Sequence, residues 1–152
     1  MGVTSKAAIQ DFLAQRTLAV VGVSRHGKGF GHVAYQSLKE RGYRVFPVNP
    51  NTDTIAGKTI YRSLGALPEP VGGAVIIVPP SQTDQVVRDA ARAGIRRVWI
   101  QQGCGTDAAV RFCEDNGMTA VHGECILMFL EPVAFLHRVH RWLWGLLGKL
   151  PR

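Results

Sequence analysis

The sequence predicts an α/β chain built on a doubly wound parallel sheet of five main strands, and three observations carry that expectation. Short apolar runs recur at 17–23, 43–48, 74–78, 97–101 and 119–122, as in strands covered on both faces. Segments with apolar residues at helical spacing separate them. The links are short, and glycine follows three of the helical segments, at Gly42, Gly94 and Gly117, where a left-handed residue ends a helix. Repeated alternation of this kind makes a Rossmann-like sheet with helices on both faces. Right-handed crossovers are expected to set the strand order 3-2-1-4-5.

The elements follow in order. Residues 5–15 open as a helix, and Thr17-Leu18-Ala19-Val20-Val21-Gly22-Val23 is the first strand. Ser24-Arg25-His26-Gly27-Lys28-Gly29-Phe30-Gly31 is a glycine-rich loop leading into a helix at 32–41, where Val33, Ala34 and Leu38 share a face. The second strand, 43–48, contains Pro47 and ends at the turn-forming Asn49-Pro50-Asn51. From 52 to 70 the pattern is irregular, with room for an extended piece at 58–61. The third strand, Ala74-Val75-Ile76-Ile77-Val78, stops at Pro79-Pro80. A helix at 81–93 carries Val86, Val87, Ala90 and Ala91 at helical spacing. After the fourth strand, 97–101, Thr106 N-caps a helix to about residue 116, and 119–122 is the fifth strand. These elements define a domain of residues 1–131. The tail, 132–152, is expected to form a C-terminal amphipathic helix, with Phe135, Leu136, Val139, Trp142, Leu143 and Leu146 in a stripe packed on the domain or a partner subunit.

Composition narrows the function. A chain of 152 residues with 46% hydrophobic and 19% charged residues supports one core and is too apolar for disorder. The net charge of +7 points to an anionic partner: nucleic acid, a membrane surface or a phosphorylated small molecule. Arg16, Arg25 and Lys28 are expected around the first glycine loop. Arg88, Arg92, Arg96 and Arg97 read as a solvated face, as do Arg138, Arg141, Lys149 and Arg152, so no specific nucleic acid is expected. Cys104, Cys113 and Cys125 match neither a zinc site nor a secreted disulfide framework. With no apolar run near the ~20 residues that cross a bilayer, and no signal-like start, the expected address is cytoplasmic.

In a doubly wound sheet the ligand sits at the carboxyl ends of the strands, where the order reverses. Residues 22–31, 48–50, 78–80, 102–104 and 123–125 converge there. The first loop suits phosphate: glycines admit close backbone approach, the next helix aims its amides, and Ser24, Arg25 and Lys28 add a hydroxyl and two cations. A dinucleotide fingerprint is incomplete. Gly22-Val23-Ser24-Arg25-His26-Gly27 has serine at the middle glycine, and Val48-Asn49-Pro50 lacks the acidic residue that binds ribose. An NAD(P)-dependent oxidoreductase with a degenerate fingerprint is therefore the alternative reading.

Several motifs in order sharpen the choice: Val20-Val21-Gly22-Val23-Ser24-Arg25, then Gly42-Tyr43-Arg44-Val45-Phe46-Pro47-Val48-Asn49-Pro50-Asn51, Val78-Pro79-Pro80, and Val98-Trp99-Ile100-Gln101-Gln102-Gly103. With them the chain resembles the CoA-binding domain proteins, whose fold is shared with the nucleotide-binding part of the succinyl-CoA synthetase alpha subunit. The resemblance implies coenzyme A or an acyl-CoA as ligand. It implies that Val23, Ser24, Arg25 and Lys28, following Gly22, meet the phosphates, and that Val48, Asn49 and Pro50 line the nucleotide. Val78, Pro79 and Pro80 would frame the adenine, with Gln102 and Gly103 near the pantetheine. Prolines and valines suit that role as a flat apolar slot. Gly72-Gly73 stands where such proteins usually carry an acidic residue, which should alter local packing more than ligand choice.

Acyl-CoA ligases of this fold use a phosphorylated histidine from another domain together with a nucleotide-grasping domain, and neither fits in 152 residues. Cys104 and Cys125 are candidate nucleophiles. His26, His32 and His122 are candidate bases without a carboxylate partner visible in sequence, and Glu124 is the acidic residue of the convergent loops. No triad or metal motif is recognisable, and His137 and His140, three apart on the tail helix, read as satisfied or solvated histidines and not as metal ligands. The expectation is a stand-alone binding module with no catalytic or metal residues assigned, working as a homo-oligomer or beside a larger enzyme.

Overall fold

Helix α1 (Lys6–Ala14) begins where Ser5 Oγ accepts the Ala8 N–H, and it buries Ile9 and Phe12. Strand β1 (Thr17–Val21) follows, then α2 (Phe30–Glu40) and β2 (Arg44–Val48). Two short strands, β3 (Thr54–Ile55) and β4 (Lys58–Thr59), pair antiparallel. Next come a single 3-10 turn, Leu64–Ala66, strand β5 (Gly73–Ile76), helix α3 (Pro80–Arg92) and β6 (Arg97–Gln101). Helix α4 (Asp107–Asp115), N-capped by Thr106, precedes β7 (Thr119–Glu124) and a 3-10 turn, Ile126–Met128. This computed structural model describes residues 4–24, 26–50, 54–55 and 58–130. The expected tail helix and Arg25 lie outside the described residues.

The five long strands form one parallel sheet, ordered β2-β1-β5-β6-β7. Successive side chains along a strand point to opposite faces. Leu18, Val20, Val75, Trp99 and Val121 turn to the face covered by α1 and α2, where they meet Phe12, Ala34 and Leu38. Ala19, Val21, Ile76, Val98 and Ile100 turn to the other, against Val87 and Ala90 of α3 and Ala109 and Cys113 of α4. Trp99 is fully buried, with the Phe12 ring edge-on at 5.5 Å.

The α/β class holds, and the strand order differs from the expected one. In terms of the five strands read from sequence it is 2-1-3-4-5: the third, β5, enters beside β1 on the side away from β2. The connection at 49–72 is the reason. Helix α2 crosses one face after β1, whereas this connection lays Leu64 on the opposite face, beside Val48 and Ile76. A right-handed crossover on the opposite face carries the next strand back past β1. Handedness alone allows either order, and an irregular segment gives no periodicity to show which face it crosses. Along the outer edge of β2, Tyr61 N–H donates to Pro47 O at 2.9 Å and Asn49 N–H to Tyr61 O at 2.8 Å.

At the other edge the Thr4 hydroxyl donates to His122 O at 2.8 Å and accepts from His122 N–H at 3.0 Å, so one side chain satisfies both backbone groups. Gly72 and Gly73 sit at the start of β5 beneath α1. A Cβ on Gly73 would stand 2.6 Å from Phe12 Cε2, and one on Gly72 2.6 Å from Gln15 Oε1. The glycine pair lets α1 close on the sheet, a packing effect as the sequence implied.

Candidate functional site

Reversal of the chain falls between β1 and β5, so the loops after those two strands lie side by side at the carboxyl edge. Gly22 makes their contact possible. Its φ is +108°, and a Cβ there would overlap the Ile77 carbonyl oxygen, so only glycine lets the two backbones approach this closely. Gly31, inside the first turn of α2, is pressed against the Gly22 carbonyl in the same way. Helix α2 therefore starts directly behind the end of β1.

The start of that helix carries unbalanced positive charge. Gly29 is its N-cap, with φ +86°, no side chain caps the first turn, and no acidic residue lies in that turn. The first N–H groups of a helix have no partner inside it and favour an anion. Ser24 Oγ accepts the His26 N–H at 3.1 Å and Gly27 N–H donates to Ser24 O at 3.3 Å, which closes a turn over the helix start. Lys28 is exposed in that loop, at the carboxyl edge. Arg16 is not there. It lies at the opposite end of β1, with its guanidinium 4.4 Å from the Tyr43 ring centre and bonded to Arg41 O at 3.4 Å.

The loop after β2 is tied to the first loop. Val48 O accepts the N–H groups of Gly22 at 2.9 Å and Val23 at 3.4 Å, and Asn49 Nδ2 donates to Val23 O at 2.8 Å. Asn49 thus spends its amide on holding the glycine loop, at the position where a dinucleotide site would carry its carboxylate. Pro50 is exposed beyond it. After β5, Val78 is buried while Pro79 and Pro80 are exposed, and Pro80 begins α3.

The loop after β6 joins through Thr83, which the sequence did not single out, and through Thr106, which it read as a helix cap. Thr83, fully buried on α3, donates to Cys104 O at 2.6 Å, and Thr106 donates to Asp84 Oδ1 at 2.5 Å. Thr83 is a small hydroxyl in the first turn of α3, which is the signal that was available. Burial raises the Cys104 thiol pKa, and a hydrogen bond with the Val78 backbone opposes that shift. Cys113 is pushed up to about 11 by burial and then by Glu114, so it stays a thiol at neutral pH. Gln102 and Gly103 are exposed; Gln102 N–H donates to Glu124 O at 3.2 Å, and Trp99 Nε1 donates to the same oxygen at 3.0 Å. Burial raises the Glu124 carboxyl pKa and lowers that of the His122 imidazole. Among the described residues no group of three or more histidines, cysteines and carboxylates is placed to hold a metal ion. No helix among them is long and apolar enough to cross a membrane.

Residues 16–131 match the model of the CoA binding domain. The chain belongs to the CoA-binding domain family. The chain is similar to the uncharacterized protein YneT of Bacillus subtilis, 27% identical over 123 residues that cover 80% of this chain and 91% of YneT. The alpha subunit of ADP-forming acetate–CoA ligase II of Pyrococcus furiosus is 32% identical over 90 residues. That match covers 59% of this chain and only 20% of the ligase subunit, so this chain is similar to a small part of that subunit. Among solved structures, a conserved hypothetical protein of P. furiosus superposes with a TM-score of 0.71 at 36% identity, over 76% of this chain and 99% of its own. Of the residues the resemblance assigned to the ligand, Gly22, Val23, Val48, Asn49 and Val78 are in mutual contact. Ser24, Lys28, Pro50, Pro79, Pro80, Gln102 and Gly103 lie on the same edge, exposed or half-buried.

Proposed function

We propose that the protein binds coenzyme A, or an acyl-CoA, across the carboxyl edge of the sheet as a binding module without a complete catalytic apparatus of its own. One observation supports this most. In a CoA-binding domain, the uncapped start of α2 stands at the reversal between β1 and β5, and Lys28, Pro79 and Pro80 are exposed in the loops of that edge. In this reading Gly22, Val23, Ser24, Arg25 and Lys28 hold the phosphates. Val48, Asn49 and Pro50 line the nucleotide, Val78, Pro79 and Pro80 frame the adenine, and Gln102 and Gly103 face the pantetheine. Free thiols at Cys104, Cys113 and Cys125 favour a reducing, cytoplasmic setting. The likeness to part of a ligase subunit supports a partner polypeptide, or a second copy, that supplies what this domain lacks. Residues 132–152 are assigned to packing on the domain or on that partner.

Titration calorimetry with CoA, dephospho-CoA and NAD tests the reading. CoA is expected to bind with strong salt dependence and to raise the melting temperature, and NAD to do so far less. Lys28→Ala removes one charge-assisted contact, so affinity for CoA should fall roughly tenfold or more while the melting temperature of the free protein stays put. Equal or tighter binding of NAD by the parent protein would transfer the site to an oxidoreductase.

A further inference from the structure

The glycine loop encloses a polar atom that the fold leaves without a partner. His32 lies in the first turn of α2, and its Nδ1 is shut off from solvent with no hydrogen-bond partner. The adjoining ring atom, Cε1, faces the loop: a Cβ on Gly27 would stand 3.8 Å from it. The half-buried imidazole therefore lies beside Gly27, in the turn that Ser24 and Gly27 close. Native folds keep few buried polar atoms unpaired, and each calls for an explanation such as a ligand or an ordered water. Packing alone does not supply one here, because an apolar ring of similar size would fill the same space without leaving a nitrogen bare. The surroundings are suited to an anion, since neither a capping side chain nor an acidic residue occupies the first turn.

We propose that His32 Nδ1–H donates a hydrogen bond to a phosphate oxygen held by this loop, which makes His32 a specificity-determining residue for phosphorylated ligands. The proposal rests on the reading of the loop as a phosphate site. The neutral imidazole suffices: one ring nitrogen donates while Nε2 remains an acceptor.

The test uses the full chain labelled with 15N in its histidines, with long-range proton–nitrogen spectra recorded alone, with CoA, and with inorganic pyrophosphate. The His32→Asn spectrum assigns the resonance. On saturation with CoA the His32 Nδ1 signal should show a bound proton and shift, and pyrophosphate should move it in the same direction if the loop reads the phosphates alone. Three variants carry the argument in parallel. Asn places an amide N–H near the Nδ1 position, so His32→Asn should keep CoA affinity within about threefold. His32→Gln, whose amide lies nearer Nε2, and His32→Phe should each lose roughly tenfold or more. CoA bound by the parent with His32 Nδ1 unmoved, as a permanently buried water would give, overturns the role of His32 and leaves the CoA reading standing. Unchanged affinity in His32→Phe does the same. Failure of the parent to bind either CoA or pyrophosphate overturns both. Should His32→Phe not fold, the spectra of the parent decide.

Discussion

The two edges of the sheet receive the same helices by opposite ends, and they treat charge differently. At the amino edge the helices finish, and the chain's own arginines meet their terminal carbonyls: Arg16 bonds Arg41 O at the end of α2, and Arg96 bonds Asn116 O at the end of α4 at 3.2 Å. Nearby, Arg44 pairs with Glu69 and Arg97 with Asp11. At the carboxyl edge the helices begin, and neither α2 nor α3 has a side-chain cap or an acidic residue in its first turn. Arginines at one edge are thus spent on partners within the molecule, while the positive starts of α2 and α3 at the other edge are left for something else to neutralise. A basic isoelectric point would have suggested a diffuse polyanion, and the geometry favours a localised one.

The largest expected effect separates the edges by how rigid their close contacts are. Gly22→Ala drives a Cβ into the Ile77 carbonyl at positive φ, so β1 and β5 must part, and urea denaturation should show a loss of about 3 kcal/mol or more. Gly73→Ala meets only the Phe12 ring at the amino edge, a side chain that can shift, and about 1–3 kcal/mol is expected. A costlier Gly73→Ala would reverse the ranking. Next, Arg96→Ala strips the end of α4 of its cation. Stability should fall by about 0.3–1 kcal/mol with CoA affinity unchanged, whereas a loss of affinity would mean that the two edges are not separate.

The smallest effect belongs to Glu124. Burial raises its pKa, so the folded form holds a proton at a pH where the unfolded chain has released it. That contribution to stability is lost as pH rises through the folded pKa. Glu124→Gln should therefore melt slightly higher than the parent near pH 7, and the gap should close below about pH 4, where the unfolded carboxyl is protonated as well. A gap that widens in acid would contradict the direction of the shift.

Much of this was legible in the residues. Thr106 caps α4 as read, Gly42, Gly94 and Gly117 adopt the positive φ that ends a helix, and β6 spans the residues expected of it. What escaped depends on pairings across the chain. Arg16 is close to the glycine loop in sequence, yet the five residues of β1 rise about 3.3 Å each and carry it to the far edge. The position of β5 depends on which face 49–72 crosses, and no local pattern encodes that. Asn49 looked like part of a turn, and its amide turned out to brace Val23. His32 was visible as a candidate base, but a buried, unpaired Nδ1 exists only in the folded chain.

Thr4 has a consequence for the sequence of events in folding. Its hydroxyl partners a residue 118 positions later, and in the same helix region Phe12 needs Trp99 and Asp11 needs Arg97. During synthesis α1 therefore has only part of its docking surface, Tyr43 and then the start of β5, until β6 exists, and its clasp closes only after β7 has emerged. Contacts of such long separation form late because the intervening chain must be ordered first. A helix made before the whole of this sheet is among the last of its elements to be secured.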